Sequence, residues 1–181
     1  MSASAISQDI ERRLHPGRMA AIAVAMCIVF FGLDFFFNAG LLSRNYVRPG
    51  PVFLAPALMF RRISFGYGSL VLLAALLLWL EWRSNIRGAR AGAGFGTVFG
   101  LAFGASLSLG FYSMFPLGEG LLVGWATCLW AEFTVAGALG GAGLAQCKLT
   151  RLYAAAAAIL IGSFAVVVVM QSTGLAVATQ R

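Results

Sequence analysis

The chain has little charge. Only 10% of its 181 residues are Asp, Glu, Lys or Arg, and six acids face thirteen basic residues. It has one histidine, three cysteines and five prolines. Each scarcity excludes something. Soluble domains carry about 25% charged residues; this chain, 60% hydrophobic with a mean hydropathy of +0.87, has too few to cover a soluble surface. Cys27, Cys128 and Cys147 are odd in number and lack CxxC spacing, which argues against a disulfide framework or a zinc site. In apolar segments cysteine commonly acts as a small hydrophobe. The lone His15, before Pro16, reads as a solvated loop residue. The net charge of +7 does not point to nucleic acid, because the basic residues form no continuous stripe and no recognition motif accompanies them. Basic loops meeting anionic lipid are the alternative.

What is present is a succession of apolar runs. A polar lead, 1–18, holds one expected interfacial helical turn around Ile6 to Leu14. A basic lead before an apolar run can be a signal peptide, but the run is long, carries Asp34 and lacks an A-x-A site. Spans are expected at 19–42, 63–82, 91–115, 120–146 and 152–170, with a polar tail at 171–181. Each is close to the roughly 20 residues needed to cross a bilayer. The stretch 43–62 contains three prolines and four arginines, and is expected to be an extended loop partly in the interface. Trp79, Glu81, Trp82 and Arg83 read as an interfacial belt closing the second span. A barrel would show short alternating segments instead. The fold class is therefore all-α: a membrane bundle of five transmembrane helices in one domain, 19–170. With the amino terminus inside, inner segments hold eight Lys and Arg and outer segments five. That balance favours a cytoplasmic amino terminus.

The third span carries a glycine row. Gly88, Gly92, Gly96, Gly100 and Gly104 recur every fourth residue, and Ser108 continues the row. The fourth span echoes it with Gly120, Gly124, Cys128, Ala136 and Gly140. Small residues at this spacing let two helix backbones approach closely, and tight packing drives association in lipid. The two spans are expected to form an antiparallel hairpin, with Gly92, Gly96, Gly100, Gly104, Gly124 and Gly140 as packing positions. The piece Gly92-Ala93-Gly94-Phe95-Gly96 is not a nucleotide loop, since no strand precedes it.

Asp34 and Glu132 lie inside apolar spans. An acid near mid-membrane costs roughly 2.5–3.5 kcal/mol on insertion scales and usually faces the protein interior. No Lys or Arg lies deep in any span, so each acid must be protonated, hydrogen-bonded to neutral groups, or wet. Rise per residue puts Asp34 about 12 Å, Ser108 about 10 Å and Glu132 about 18 Å from one face. Asp34, Asn38, Ser106, Ser108, Tyr112, Cys128 and Glu132 are thus expected to share one polar layer. The layer reads as a structural cluster fixing helix register, as a ligand or proton-handling cavity, or as a pair of carboxylates for acid–base work. No nucleophile–base pair, metal set or phosphate loop accompanies it, so no cofactor or metal is expected.

Several short motifs resemble a family of small multi-pass bacterial inner-membrane proteins of uncharacterised activity. They are Leu33-Asp34-Phe35 with Asn38, Leu41, Leu42 and Tyr46; Gly110-Phe111-Tyr112 before a proline turn; and Trp125, Ala131-Glu132-Phe133 and Ala136-Gly137. The resemblance spans roughly residues 27–145. It implies a four-helix unit with acids at Asp34 and Glu132, and no established activity. The proline-rich first loop and the fifth span depart from it. The expected role is a non-enzymatic packing or accessory subunit, in a homo-oligomer or with another membrane protein, in a bacterial cytoplasmic membrane. The alternative is a small carrier or binding protein for a proton-coupled or lipophilic ligand around Asp34, Asn38 and Glu132. A membrane enzyme acting on lipid is the third reading.

Overall fold

The computed structural model describes residues 16–46, 54 and 56–177. His15 and the expected turn around Ile6 to Leu14 lie outside the described residues. Helix α1 is Pro16–Phe35; it continues as a π-helical segment, Phe36–Leu41, and a 3-10 turn, Ser43–Tyr46. Then come α2, Pro56–Arg83; α3, Ala89–Met114; α4, Glu119–Leu144; and α5, Leu149–Ser172. No strand occurs among the described residues. Five helical segments have the length and hydropathy to cross a membrane: Pro16–Leu41, Arg61–Arg83, Ala89–Met114, Glu119–Leu144 and Leu149–Ser172. The described residues thus form an all-helical protein with five helices fit to span a membrane.

The extended loop expected over 43–62 is shorter than that. Ser43–Tyr46 is a 3-10 turn and α2 begins at Pro56, seven residues before the expected start of the span at 63. Proline is disruptive inside a helix, yet at the first position its missing N–H costs nothing and its φ is already helical. Pro56 therefore starts the helix rather than prevents it.

The closest packing is between α3 and α4. A β-carbon added at Gly92 would overlap the carbonyl oxygen of Gly137, and one at Gly96 would overlap that of Phe133. At Gly100 it would lie 2.8 Å from the Phe133 Cβ, and at Gly104 2.9 Å from the Ala126 oxygen. The pairing runs antiparallel and backbone to backbone. At its end Gly88, held at φ +94°, donates its N–H to the Gly141 oxygen at 2.8 Å. A side chain at this φ would be strained. Two phenylalanines of α3 beside the row rest on α4: Phe99 and Phe103 lie 5.0 and 5.8 Å from the Phe133 ring.

The glycine positions of α4 divide between two faces. Gly137 and Gly141 meet α3, whereas Gly124 meets Leu42 and Gly140 meets Glu81 and Met26. Gly120 has open space around it. The expected row of Gly120, Gly124, Cys128, Ala136 and Gly140 thus does not pack on α3. From Gly124 onward it faces the bundle centre. The reason is angular: adjacent residues on a helix are about 100° apart, so giving Gly137 to α3 turns Ala136 and Gly140 to α1 and α2.

The apolar core joins Ile22, Met26, Val29 and Phe30 of α1, Ala74, Leu77 and Leu78 of α2, and Phe133 and Ala136 of α4. The fifth helix lies along α1, with Gly32 against the Leu160 backbone and Phe35 stacked 4.1 Å from Phe164. Arginines close the helix ends. Arg18 donates to the carbonyls of Gly143 and Cys147, and Arg87 to that of Leu144. Gly143 and Leu144 close α4 and Cys147 follows in the turn after it; positive charge is favourable at such a helix carboxyl end. Burial pulls the Arg87 guanidinium below its ordinary value, though an arginine remains charged at any physiological pH.

Gly96→Leu is expected to destabilise the protein by more than about 3 kcal/mol, because no rotamer avoids the facing carbonyl. Gly94→Ala, at a position with open space around it, is expected to gain about 0.5–1 kcal/mol from helix propensity. Unfolding of the purified protein by SDS in dodecylmaltoside micelles, followed by Trp fluorescence, measures both.

A polar layer between α1 and α4

Three residues of α4 share one face. Trp125, Cys128 and Glu132 stand three and four residues apart, the spacing that stacks side chains on a helix. They meet Asp34 near the end of α1, Asn38 in the π-helical segment and Tyr46 in the 3-10 turn. Each π turn closes one residue later than an α turn, as in the Leu42 N–H bond to the Phe37 oxygen at 2.7 Å. The Asp34 carbonyl instead accepts the Asn38 side chain at 3.1 Å. Such π segments are frequent at functional sites.

The hydrogen bonds run in one direction. Trp125 Nε1 donates to the Tyr46 hydroxyl at 2.8 Å, which donates to Asn38 Oδ1 at 2.7 Å. Asn38 Nδ2 then donates to Asp34 Oδ1 at 2.8 Å. Indole N–H is only a donor, so the order of the chain is set at its start. Beside Asp34, the Cys128 thiol donates to Glu132 Oε1 at 3.0 Å. Burial pushes the Tyr46 hydroxyl up to about 12; the Trp125 bond lowers it, and the charges of Asp34 and Cys128 raise it further. Tyr46 therefore stays a neutral donor.

A ligand oxygen from each of Asp34 and Glu132 and the sulfur of Cys128 all lie within 4.8 Å of one another. Cys128 and Glu132 are buried, and Asp34 is half-buried. Two cavities adjoin. One of about 210 Å³ is lined by Asp34, Asn38, Trp125, Cys128 and Glu132; the other, about 230 Å³, by Asp34, Ile63, Tyr67 and Ser69. Leu70 stands in the wall of both. Two carboxyls and a thiol at this separation can hold a proton or coordinate a cation. Oxygen and sulfur ligands together suit transition metals more than Mg²⁺ or Ca²⁺.

Of the seven residues expected in the layer, the structure brings together Asp34, Asn38, Cys128 and Glu132. Ser106 and Tyr112 are exposed on the outer face of α3, and Ser108 donates to the Leu122 carbonyl at 2.9 Å. A repeat of four drifts about 40° per step against 3.6 residues per turn. Five steps from Gly92 the row has turned Tyr112 away from α4. Tyr46 and Trp125, part of the motif resemblance, belong to the layer although they were not among its expected members. An indole followed at three and seven residues by a thiol and an acid was the readable signal.

Glu81 is the larger surprise. It was expected in an interfacial belt with Trp79 and Trp82. Those two are exposed, but Glu81 is 0% exposed and neither carboxylate oxygen has a hydrogen-bond partner. The buried positions of α2 are Leu70, Ala74, Leu77, Leu78 and Glu81. Their three-and-four spacing puts Glu81 on the inward face, a signal present in the sequence.

No family model, curated protein or solved structure matches the chain.

Tyr46→Phe is expected to cost about 1–3 kcal/mol, since it removes the hydroxyl that accepts from the indole N–H and donates to the Asn38 oxygen. It should also shift the Trp125 emission, which micellar unfolding followed by fluorescence reads directly. Because the folded-state value is raised above the unfolded value of about 10, the wild-type contribution is complete below about pH 10. It falls as pH rises through about 12, and Tyr46→Phe should lose that alkaline slope.

Proposed function

We propose that this chain is a small cation-binding carrier of a bacterial cytoplasmic membrane, with its amino terminus in the cytoplasm. The observation that carries the reading is the convergence of Asp34, Cys128 and Glu132 within 4.8 Å inside membrane-spanning helices. Two acids held that close, with no basic residue deep in any span, repel each other when ionised, and a bound cation relieves that repulsion. The O, O, S donor set favours a divalent transition metal. The one-way chain from Trp125 to Asp34 directs its donors at one ligand and leaves the rest of the carboxyl to face the cation. The cavities on either side of Leu70 supply space next to Asp34. The glycine row, which motivated an accessory-subunit role, is buried between α3 and α4, so its groove is not open to a second copy. Eight basic residues on the amino-terminal side against five opposite support the orientation, and the motif resemblance supports the membrane.

The test uses the full chain in lipid vesicles with Cd²⁺, whose bond to a thiolate gives an ultraviolet charge-transfer band. Wild type is expected to bind one Cd²⁺ with that band and to pass Cd²⁺ to an entrapped indicator. Cys128→Ser should lose the band. Asp34→Asn and Glu132→Gln should each weaken binding at least about tenfold, or about 1.4 kcal/mol. Absence of both stoichiometric binding and flux in wild type rejects the proposal.

A further inference from the structure

The layer above leaves one buried acid unused. The Glu81 side chain points from α2 into a notch in the small-residue row of α4. A β-carbon at Gly140 would overlap its Oε2, and one at Gly137 would lie 3.1 Å from its Oε1. Met26 of α1 closes the notch, its sulfur 3.1 Å from the same Gly140 position. The glycines are what make room for the carboxyl. Both oxygens are nevertheless without a hydrogen-bond partner, and the side chain is fully buried. A bare carboxylate in such surroundings costs several kcal/mol, and the group takes a proton instead.

Among the described residues no neighbouring charge relieves it. The titratable groups on the surrounding elements are Arg18 and Cys27 on α1, Arg83 on α2, Arg87 in the next turn and Arg90 on α3. Helix α4 offers none after Glu132. Arg18 and Arg87 are already bonded to the last carbonyls of α4 and to Cys147. The Asp34 layer is about 12 Å away along α1, eight residues from Met26. Between the two stand Phe30 and Phe133, both fully buried, with rings 5.3 Å apart edge to face. Glu81 instead lies close to the end of the bundle: two residues from the end of α2 and four to seven from the end of α4, about 6–10 Å along that axis.

We propose that Glu81 is a second, separate binding site, for a proton, seated in the Gly137–Gly140 notch and loaded from the face where α2 and α4 end. The Phe30–Phe133 pair isolates it from the Asp34 layer. The inference goes beyond the carrier reading and does not require it. An apolar groove of about 390 Å³ along α1 and α2, lined by Met19, Ala23, Leu78, Trp79 and Trp82, runs at the same level. It offers a lipid-side approach for an apolar reagent.

Dicyclohexylcarbodiimide tests the site. A protonated carboxyl gives its proton to one carbodiimide nitrogen while its oxygen bonds the central carbon; the adduct rearranges to an N-acylurea without losing an atom. Full-length protein in vesicles is treated at about pH 6 and about pH 9, then digested for mass spectrometry. Glu81 is expected to carry the adduct, forming several-fold faster at the lower pH. In Asp34→Asn the labelling of Glu81 should be unchanged, so failure of the carrier reading does not affect this readout. A water-soluble carbodiimide with an added amine should leave Glu81 unmodified. In parallel, Glu81→Gln should remove one protonated-carboxyl C=O stretch from the infrared spectrum at about pH 7. Overturning results are no such band lost in Glu81→Gln, no adduct on Glu81, or ready modification by the water-soluble reagent.

Discussion

The contact between the backbones of α3 and α4 is the constraint on which the other features rest. Four glycines of α3 lie against the carbonyls and α-carbons of α4, Gly100 also against the Phe133 β-carbon. In a bilayer, where lipid and leucine are equally apolar, this kind of close packing supplies much of the attraction between helices. It also fixes how α4 is turned about its own axis. With Phe133 and Gly137 given to α3, the residues about 100° round the helix, Glu132 and Ala136, face α1 and α2. The polar layer and the Glu81 notch are both consequences of that setting.

The same helix therefore does two different things with small residues. On one face they bring a backbone close to a backbone. On the other, Cys128, Ala136 and Gly140 leave space beside helices that carry acids. Gly140 is the clearest case, because Glu81 occupies the space where its side chain would be. Buried acids without cationic partners are costly in any protein, and more so among apolar helices. The two regions meet that cost differently: neutral donors surround Asp34 and Glu132, whereas Glu81, with no donor beside it, is tolerable as the protonated acid.

The two acidic regions differ in kind. The Asp34 layer is a connected network whose donors come from Trp125, Tyr46, Asn38 and Cys128. Glu81 has no hydrogen bond to its carboxyl among the described residues. An aromatic pair separates them. The π-helical segment gives the Asp34 layer its geometry, since the extra residue per turn lets Asn38 turn its amide back on both the carbonyl and the carboxyl of Asp34. Membrane helices adopt such irregular turns where a side chain can satisfy the released carbonyl.

The sequence alone determined the class of molecule. Hydropathy over windows of about 20 residues depends only on composition, so the five spans and the intramembrane positions of Asp34 and Glu132 were legible, as was the glycine row that pairs α3 with α4. The first turns of α2, 56–62, were read as loop because proline's effect depends on where in the helix it falls. What only the tertiary structure decided was rotation. A four-residue repeat drifts round a 3.6-residue helix, so which members of a row meet which neighbour follows from the packing of all five helices together. That rotation removed Ser106, Ser108 and Tyr112 from the layer and brought in Tyr46 and Trp125. It also set the inward face of α2, and Glu81 with it, against Gly140, a contact between residues 59 positions apart that no local pattern contains.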